Sequence, residues 1–553
     1  MKKKVFILLL LSAIICLASC VGSEETTAPP EITEELSSNT VNKLVENGEA
    51  QYAVILPEGS NGDMREAVNS FADKLSDLYG VKFEVKKNKN LAEGKKLIMV
   101  GAQNDEAYAP YYADVAYREY AVKLTDDGNV VVAAWSTGSI GDACSKLILK
   151  LKKTYELGNT EGELTEAILF IGYNSSLIDA EIPHFSLTRM PRIYNVQGAR
   201  GAYELYFKDT APDEWSNYCT ALKENGYSLL QQDKGTDANF AVFKKDGIEV
   251  TVDYWHATKE LVVIIDKPSY EAPFTSESIA AVTEPKVIEP GLEYDGALKG
   301  MCYIIQASDG SFVLVDSGDS DPKFLDRLYS VLTSLVPEGQ KPHIRAWFIT
   351  HQHADHTGGL IDIAESKYAS LIECDAVYSN MPYAAYQSAY TASNYENRYG
   401  AIEKAAKKLG ADFVIARTGQ TYSFADIDVQ ILCSVDDMFL SDYGDLDETS
   451  LVFTARAGGK QLLFMGDAGP VTVGQYVLKR YTADTLKSHI CQAASHGSNN
   501  DAFTPFYKLV DPAVYLWPAS REFYNKHTPN KYVEGDSAVT VYSFNGQYTI
   551  PLY

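Results

Sequence analysis

The chain has 553 residues and a formal net charge of −25, with 74 acidic and 49 basic side chains. This length is too great for one hydrophobic core and predicts about three or four domains. The hydrophobic content of 46% is ordinary for a globular protein. Because so acidic a chain repels phosphate backbones, we expect no avid binding to nucleic acids.

The first twenty residues have the pattern of an export signal. Three consecutive lysines, Lys2 to Lys4, precede an apolar run from Val5 to Leu17. This run is shorter than the roughly 20 apolar residues that span a bilayer, and its length is typical of a signal peptide. It ends in Leu-Ala-Ser-Cys, which resembles the lipobox of bacterial lipoproteins and makes Cys20 the predicted lipidation site. We therefore expect residues 1–19 to be removed and a lipid to anchor the protein on the extracytoplasmic face of the cell membrane.

Composition and hydrophobic periodicity divide the remaining chain into four segments. Residues 20–48 are rich in Ser, Thr, Pro and Glu and predict a disordered tether. Residues 49–175 alternate strand and helix patterns, and residues 190–270 combine one amphipathic helix with several strands. Each of these two segments predicts a small α+β domain. Residues 285–553 hold nearly every chemically suggestive motif.

The order of elements in residues 49–175 resembles a known accessory domain. A helix ending in "FADKLSDLYG" is followed by a strand ending in "VG" and by "YAVKLTDDGNVVVAA". This order is similar to the small αβ domain that precedes the catalytic domain in family 20 glycoside hydrolases. The resemblance concerns the pattern of elements and implies carbohydrate surroundings rather than glycosidase chemistry.

The stretch "THQHADHTGG", residues 350–359, is the densest group of metal-ligand side chains in the sequence. It follows a predicted buried strand, "IRAWFIT", and contains three histidines and one aspartate: His351, His353, Asp355 and His356. A loop after a strand lets closely spaced side chains converge, and imidazole with carboxylate suits zinc, iron or manganese. Three further candidate side chains also follow predicted strands: Asp316, Asp467 and His496.

This arrangement resembles the metallo-β-lactamase superfamily, whose fold is an α/β sandwich of four layers (αββα) with a metal site at one edge. The resemblance covers residues 285–553 and implies that fold after two small α+β domains. It implies two divalent ions, with Zn²⁺ expected and Mn²⁺ or iron as alternatives. The implied ligands are His351 and His353 for one ion, Asp355, His356 and His496 for the other, and Asp467 as a bridge. Two catalytic roles are also implied: Asp316 orients the histidine loop, and Asp355 accepts a proton from the attacking water.

Three segments narrow the resemblance: "DETSLVF", "FMGDAG" and "AASHGSNN". They are similar to the soluble domain of ComEC-type competence proteins and to bacterial phosphorylcholine esterases. This branch lacks the third-motif histidine of true β-lactamases, and this chain has no histidine between His356 and His489. The branch therefore implies hydrolysis of a phosphoester by a metal-bound hydroxide, and it disfavours a true β-lactamase.

Two departures from the pattern of this branch involve three residues. Ser495 stands where a typical member has the first histidine of a His-His-Gly sequence, which leaves His496 as the single imidazole. Asp447 and Glu448 precede the strand "SLVF", where asparagine is usual. These carboxylates either approach the first metal or face solvent, and the sequence favours the solvent-facing interpretation.

Two other residues are candidates for contact with substrate. His527 lies in a loop that follows the last-but-one predicted strand, and this loop borders the site in the superfamily. Ser450 begins the "SLVF" strand. Both are predicted to lie at the edge of the metal site.

These features predict an extracytoplasmic, metal-dependent hydrolase, and more specifically a zinc phosphoesterase or phosphodiesterase. Its expected substrate is a small molecule or a cell-surface polymer. A secreted nuclease is one alternative, which the acidic charge disfavours. A glycan-binding surface lipoprotein with a degenerate metallohydrolase domain is another, which Ser495 and the missing histidine leave open.

Overall fold

The computed structural model describes residues 42–56, 60–101, 105–165, 169–196, 201–268, 274, 281–291, 300–381, 398–437, 446–498 and 503–553. The predicted signal peptide, the lipidation site Cys20 and most of the predicted tether lie outside the described residues. Residues 43–48, which the sequence assigned to the tether, belong to the folded body, where Leu44 and Val45 are buried in the core of its first sheet. Among the described helices, none combines the length and apolarity needed to cross a membrane.

The first layer of the body is a mixed sheet with two helices on one face. Their apolar side chains recur at helical spacing and pack on this sheet, as Val68 and Phe71 do in the first helix and Leu147 and Leu151 in the second. The elements are β1 (Val45–Glu46), β2 (Glu49–Ala50), β3 (Tyr52–Ile55), α1 (Gly62–Tyr79), β4 (Val85–Lys86), β5 (Lys96–Val100), β6 (Glu119–Leu124), β7 (Val130–Ala134), α2 (Thr137–Glu156) and β8 (Phe170–Tyr173). The sheet has the strand order β4-β3-β5-β7-β6-β8, beside a ribbon of β1 and β2.

The second layer is an antiparallel sheet whose central strands are buried on both faces. Its elements are β9 (Arg192–Asn195), β10 (Tyr203–Phe207), α3 (Pro212–Glu224), β11 (Ser228–Lys234), β12 (Ala238–Lys245), β13 (Ile248–Trp255) and β14 (Glu260–Asp266). The strand order is β11-β12-β13-β14-β10-β9. Because successive side chains of a strand point to opposite faces, Val250 and Val252 join a core with the first sheet, whereas Phe240 and Trp255 join a core with the C-terminal helices.

The C-terminal part is a sandwich of two sheets between layers of helices. The elements of its first half are β15 (Lys286–Glu289), β16 (Tyr303–Gln306), β17 (Phe312–Val315), α4 (Pro322–Ser334), β18 (His343–Phe348), α5 (Ala354–Glu365), β19 (Glu373–Cys374), β20 (Ala376–Ser379), α6 (Arg398–Leu409) and β21 (Asp412–Ile415). Those of its second half are β22 (Thr421–Phe424), β23 (Ile427–Cys433), β24 (Val452–Ala457), β25 (Lys460–Phe464), α7 (Leu478–Arg480), α8 (Ala483–Leu486), β26 (Ile490–Gln492), α9 (Phe503–Val510), β27 (Val514–Trp517), α10 (Arg521–Lys526), α11 (Lys531–Gly535), β28 (Val539–Tyr542) and β29 (Tyr548–Pro551). Shorter 3₁₀ turns lie at Lys89–Leu91, Ala109–Tyr112, Lys367–Leu371, Val435–Asp437, Asp447–Thr449, Ser495–Gly497 and Ser543–Asn545, and a π-helical turn at Thr472–Val477.

The two sheets of the sandwich enclose a common apolar core. One sheet has the order β21-β20-β18-β17-β16-β15-β29, with β19 beside β18, and the other has β22-β23-β24-β25-β26-β27-β28. Their facing side chains form the central core. Helices α4, α5 and α6 cover the outer face of the first sheet. This four-layer α/β sandwich, preceded by the smaller mixed layers, confirms the fold class predicted from the sequence.

Buried arginines hold the second layer against the sandwich. The guanidinium of Arg480 lies 3.8 Å from the ring centroid of Trp255. Arg417 is buried and pairs with two carboxylates, Asp266 at the end of β14 and Asp436 within the sandwich. Removing one partner of such a pair would leave an uncompensated buried charge. The second layer is therefore an integral part of the body rather than a loosely attached module.

The buried carboxyl group of Glu289 at the end of β15 predicts a pH-dependent stability. Burial raises its pKa to about 8, against the opposing hydrogen bond from the Gly291 amide. Between its usual pKa of 4.5 and the raised value, the folded state keeps a proton that the unfolded chain has lost. Stability from this group is therefore present at low pH and is lost as the pH rises through this window.

Glu289→Gln should remove this dependence because glutamine is neutral at every pH. In denaturant titrations the variant and the parent should have similar free energies of unfolding at about pH 5. At about pH 8 the variant should be more stable than the parent by on the order of a few kcal/mol. Glu403→Gln, on the exposed side of α6, controls for the loss of one negative charge. A stability difference that does not change with pH would contradict this account.

Candidate metal centre

The candidate site lies where parallel strands of both sheets end. β17 leads into Asp316 and β18 into the loop that carries His351 and His353, while β25 leads into Asp467 and β26 into His496. β17 runs parallel to β18, and β25 runs parallel to β26. Parallel neighbours end at the same edge of a sheet, so segments more than a hundred residues apart in sequence meet there.

Helix α5 begins immediately after His353 and places Asp355 and His356 in its first turn. Two glycines let this turn approach the loop after β17. A Cβ atom at Gly358 would lie 2.3 Å from the Ser320 nitrogen, and one at Gly359 would lie 2.0 Å from the Ser317 oxygen. Any side chain at these positions would push α5 and its two candidate ligands away from the site.

The buried carboxylate of Asp316 controls the orientation of two histidines. Its Oδ2 lies 2.6 Å from His356 Nδ1 and 2.8 Å from Thr350 Oγ1, and its Oδ1 accepts a hydrogen bond from the Thr350 amide at 2.7 Å. Because the Thr350 hydroxyl donates to Asp316, its oxygen is free to accept from His351 Nδ1 at 3.1 Å. Both histidines therefore carry their proton on Nδ1 and present an Nε2 lone pair to the site.

His496 is oriented in the same way by the backbone. Its Nδ1 donates to the carbonyl oxygen of Pro518, and its own φ is 52°. A carbonyl can only accept, so the neutral ring also carries its lone pair on Nε2. This Nε2 lies 3.0 Å from Asp467 Oδ2, 3.2 Å from Asp355 Oδ2 and 3.4 Å from His356 Nε2.

Nitrogen lone pairs and carboxylate oxygens thus face one another across a buried space. This arrangement is unfavourable unless cations lie between them. Without a metal ion, protonated histidines would have to balance the charge of the carboxylates. Although burial opposes it, Asp467 and Asp355 raise the pKa of His496 to about 9. Asp467 and Asp316 likewise raise the pKa of His356 well above its usual value. Burial also lowers the pKa of His351 well below its usual value. Imidazole nitrogens and carboxylate oxygens are the ligand set of divalent transition metals, so the residues fit such ions.

The ligand atoms form three overlapping groups, each with all of its atoms within 4.8 Å of one another. The middle group shares a histidine with each of the other two, so the three groups form one continuous site. They are His351, His353 and Asp447; His351, His356 and Asp467; and Asp355, His356 and His496. The structure therefore brings all six sequence-predicted metal ligands together and adds Asp447, while Asp316 lies behind two of them.

The structure contradicts the solvent-facing interpretation of Asp447 and Glu448. Asp447 Oδ1 lies 2.8 Å from His353 Nδ1 and 3.6 Å from His351 Nε2. Glu448 is buried, and its carboxylate accepts hydrogen bonds from the amide and hydroxyl of Thr472. One carboxylate thus faces the site and the other anchors the turn that carries it.

Ser450 lies behind the candidate ligands and not on the substrate side. It is fully buried, its Oγ lies 3.3 Å from His351 Nδ1, and it accepts a hydrogen bond from the Asp467 amide at 3.1 Å. Ser450 therefore holds together the two segments that carry His351 and Asp467. The substrate contact suggested by the sequence does not fit it.

His527 lies at the rim of the site. Its exposed ring stacks on Phe523 with 3.9 Å between the ring centroids, and Phe523 lies 5.6 Å from the ring of His496. The histidine is therefore one ring away from a candidate ligand and is accessible to a molecule that enters the site. Ser495 is partly exposed beside His496, and its amide donates to the Gly466 carbonyl at 3.3 Å.

Residues 295–503 match the family model of the metallo-β-lactamase superfamily. The C-terminal part of this chain is a metallo-β-lactamase superfamily domain. The matched range contains Asp316, the histidine loop and helix α5, as well as Asp467 and His496. No curated protein sequence matches the chain.

Solved structures are similar to the chain at low identity. A protein assigned as a metal-dependent hydrolase from Parabacteroides distasonis is 12% identical, with 57% of this chain and 98% of that one covered and a TM-score of 0.25. A protein assigned as a Zn-dependent hydrolase of the metallo-β-lactamase superfamily from Thermotoga maritima is 10% identical, with coverages of 46% and 98% and a TM-score of 0.24. The long form of RNase Z from yeast is 9% identical, with coverages of 56% and 50% and a TM-score of 0.29. With scores this low, the superfamily assignment depends on the family model.

Asp316→Asn tests the orienting role of the buried carboxylate. Asparagine has one acceptor oxygen and one NH2 group, so it cannot accept all three hydrogen bonds. Its NH2 group would face either the Thr350 amide or the pair formed by the Thr350 hydroxyl and His356 Nδ1, which should disturb the fixed orientation of the imidazoles. We expect the affinity for Zn²⁺, measured by competition with a chromophoric chelator, to fall about 10- to 100-fold.

Asp326→Asn is the matched control, because this exposed carboxylate of α4 hydrogen-bonds to Tyr368 away from the site. It should leave the zinc affinity unchanged. An Asp316→Asn protein that binds zinc as tightly as the parent would show that Asp316 does not set the histidine tautomers.

Proposed function

We propose that the protein is an extracytoplasmic phosphoesterase or phosphodiesterase that depends on two divalent metal ions. The main support for this proposal is the buried site around Asp467, where carboxylates face the Nε2 atoms of His351, His356 and His496. His351 and His353 would hold one ion and Asp355, His356 and His496 the other, with Asp467 shared between them. Zn²⁺ is the proposed metal, with Mn²⁺ or iron as alternatives. Such a pair of ions would supply Lewis acidity and lower the pKa of a water molecule.

The position of Asp467 supports its role as the shared ligand. Its Oδ2 lies 3.0 Å from His496 Nε2 and 3.5 Å from His356 Nε2, and a carboxylate oxygen also lies within 4.8 Å of the facing nitrogen of His351. Although burial opposes it, His496 and His356 hold the pKa of Asp467 well below its usual range. The side chain is therefore an anion that contacts the histidines proposed for the second ion and lies within 4.8 Å of one proposed for the first.

Asp355 lies closer to the opening of the site than Asp467 does. Its side chain keeps 11% of its surface exposed, whereas that of Asp467 keeps 1%. A carboxylate at this border can exchange a proton with solvent more readily than a fully enclosed one. We assign to Asp355 the acceptance of the proton that an attacking water loses, in addition to its role as a ligand.

Arg398 favours an anionic substrate. At the start of α6 its Nη1 lies 3.5 Å from the Thr357 hydroxyl, next to His356, and its charge also acts on Asp319. A guanidinium beside the site can form charge-assisted hydrogen bonds with the non-bridging oxygens of a phosphodiester. A neutral lactone offers no such charge.

The remaining features narrow the type of phosphoester. The net charge of −25 disfavours a long nucleic acid and therefore a nuclease. The predicted export signal and lipid anchor favour a small molecule or a cell-surface polymer. A degenerate, glycan-binding version of the domain has less support, because all six predicted ligand side chains are present and converge at one site.

The most direct test of the proposal is a substrate panel. The metal-loaded protein would be assayed with bis(p-nitrophenyl) phosphate, p-nitrophenylphosphorylcholine, single-stranded DNA and a chromogenic β-lactam. We expect hydrolysis of at least one of the two aryl phosphoesters and loss of that activity in His353→Ala and Asp467→Ala, since each variant removes a proposed ligand. Hydrolysis of the β-lactam alone, or activity that survives both substitutions, would contradict the proposal.

Arg398→Met tests the choice of an anionic substrate. A hydrogen bond to a charged group contributes about 1.5–3 kcal/mol, so we expect kcat/KM for the active phosphodiester to fall about 10-fold or more. Arg456→Met is the matched control, because this exposed arginine of β24 hydrogen-bonds to Gln461. If both variants keep the parental kcat/KM, Arg398 does not contact the substrate.

A further inference from the structure

The first half of the metal site contains a carboxylate that the superfamily resemblance does not supply. Asp447 Oδ1 lies 2.8 Å from His353 Nδ1 and 3.6 Å from His351 Nε2, and the side chain is 24% exposed. With these two histidines it forms a compact group of potential metal ligands. The second half of the site has an equivalent composition of two histidines and one aspartate.

The turn that presents Asp447 is held in place on three sides. The backbone amide of Ser450 donates a hydrogen bond to the Asp447 carbonyl at 3.1 Å. The carboxylate and carbonyl of Glu448 accept hydrogen bonds from Thr472 at 2.7–2.8 Å. On the other side, the Leu451 amide donates to the Thr350 carbonyl at 2.9 Å in the loop that leads to His351. These hydrogen bonds fix the backbone of the turn, so the position of the Asp447 carboxylate does not depend on its attraction to the histidines.

The chain lacks a histidine at the point where its first metal site needs a third ligand. Between His356 and Asp467 the sequence contains no histidine, and the side chain that the structure places against His351 and His353 is the carboxylate of Asp447. Asparagine would offer a neutral amide oxygen, whereas aspartate offers a charged oxygen ligand. This single difference converts a two-histidine group into a two-histidine, one-carboxylate group.

We propose that Asp447 is a ligand of the first metal ion and takes the place of the missing histidine. This inference rests on the proposed function to the extent that the site binds two ions. Each ion would then have two imidazoles, one carboxylate of its own and a share of Asp467. The two halves of the centre become nearly equivalent in ligand type.

The added carboxylate has a consequence for the choice of metal. The three carboxylates Asp355, Asp447 and Asp467 carry three negative charges against the four positive charges of two divalent ions. A harder, more negative ligand set favours Mn²⁺ or Fe²⁺ more than a three-histidine site does. The first site should therefore accept Mn²⁺ as well as Zn²⁺.

An ordinary ion pair between Asp447 and a protonated His353 is the competing explanation of the short contact. It would stabilise the metal-free protein and would make no contribution once a metal displaced the proton. Asp375 and His343 form such a pair on the exposed surface, with 2.9 Å between Oδ1 and Nε2. They provide a matched aspartate–histidine pair in the same domain outside the metal site.

The experiment measures metal content and affinity in the full-length parent and three variants. Each protein would be stripped, loaded with Mn²⁺ or Zn²⁺, freed of excess metal and assayed by elemental analysis and by calorimetric titration. We expect two ions in the parent and in Asp375→Asn. In Asp447→Asn we expect the first-site affinity to fall by more than about 10-fold, so that about one ion remains. Asp447→His should keep two ions and shift the first-site preference towards Zn²⁺.

The outcomes separate this inference from the proposed function. If Asp447→Asn binds two ions with the parental affinities, Asp447 is not a ligand. If the parent binds no metal, both the inference and the proposed function fail. If one ion is lost in Asp447→Asn while the parent hydrolyses no phosphoester, the ligand assignment stands and the proposed reaction is wrong. Thermal unfolding of the metal-free proteins separates a folding defect from loss of a ligand, and Asp447→His provides a second test.

Discussion

The candidate centre depends on the hydrogen bonds of one buried carboxylate, Asp316. It accepts hydrogen bonds from the Thr350 hydroxyl and from His356 Nδ1, and through the Thr350 hydroxyl it also determines which nitrogen of His351 is protonated. Two imidazoles consequently present lone pairs into a space that already contains Asp467. His496 reaches the same state through the Pro518 carbonyl. The side chains are thus oriented for cations before any cation is bound, with imidazole nitrogens and carboxylate oxygens facing one another.

Much of this site could be predicted from local sequence. A strand pattern followed by a histidine-rich loop, with further acids and a histidine after other strands, is sufficient to predict convergence at one sheet edge, and the structure shows that convergence. Asp447 could not be assigned in this way. The direction of its side chain depends on the hydrogen bond between Glu448 and Thr472, which lie 24 residues apart in sequence and on different elements. The sequence did contain one signal for it: an acidic pair, Asp447 and Glu448, directly before the strand that starts at the metal site.

Other departures from the sequence predictions have similar physical causes. Ser450 was expected near substrate because it begins a strand at the site, but a hydroxyl between an imidazole and an amide is better used as an internal support. The C-terminal boundary of the tether was predicted too late in the sequence. The segment is mostly polar, but it also contains two apolar residues, Leu44 and Val45, that pack in the core of the first sheet. The antiparallel second layer contributes to two cores at once, a property that alternation of apolar residues alone does not distinguish from one-sided burial.

The measurement that tests the central claim most directly is anomalous diffraction at the zinc edge from crystals of the zinc-loaded protein. The account predicts two peaks beside Asp467, one contacted by His351 and His353 and the other by Asp355, His356 and His496. It also predicts that the Nδ1 atoms of His351, His356 and His496 keep their hydrogen bonds to Thr350, Asp316 and Pro518. A single peak, peaks at a different place, or a metal bound through any of these Nδ1 atoms would contradict it.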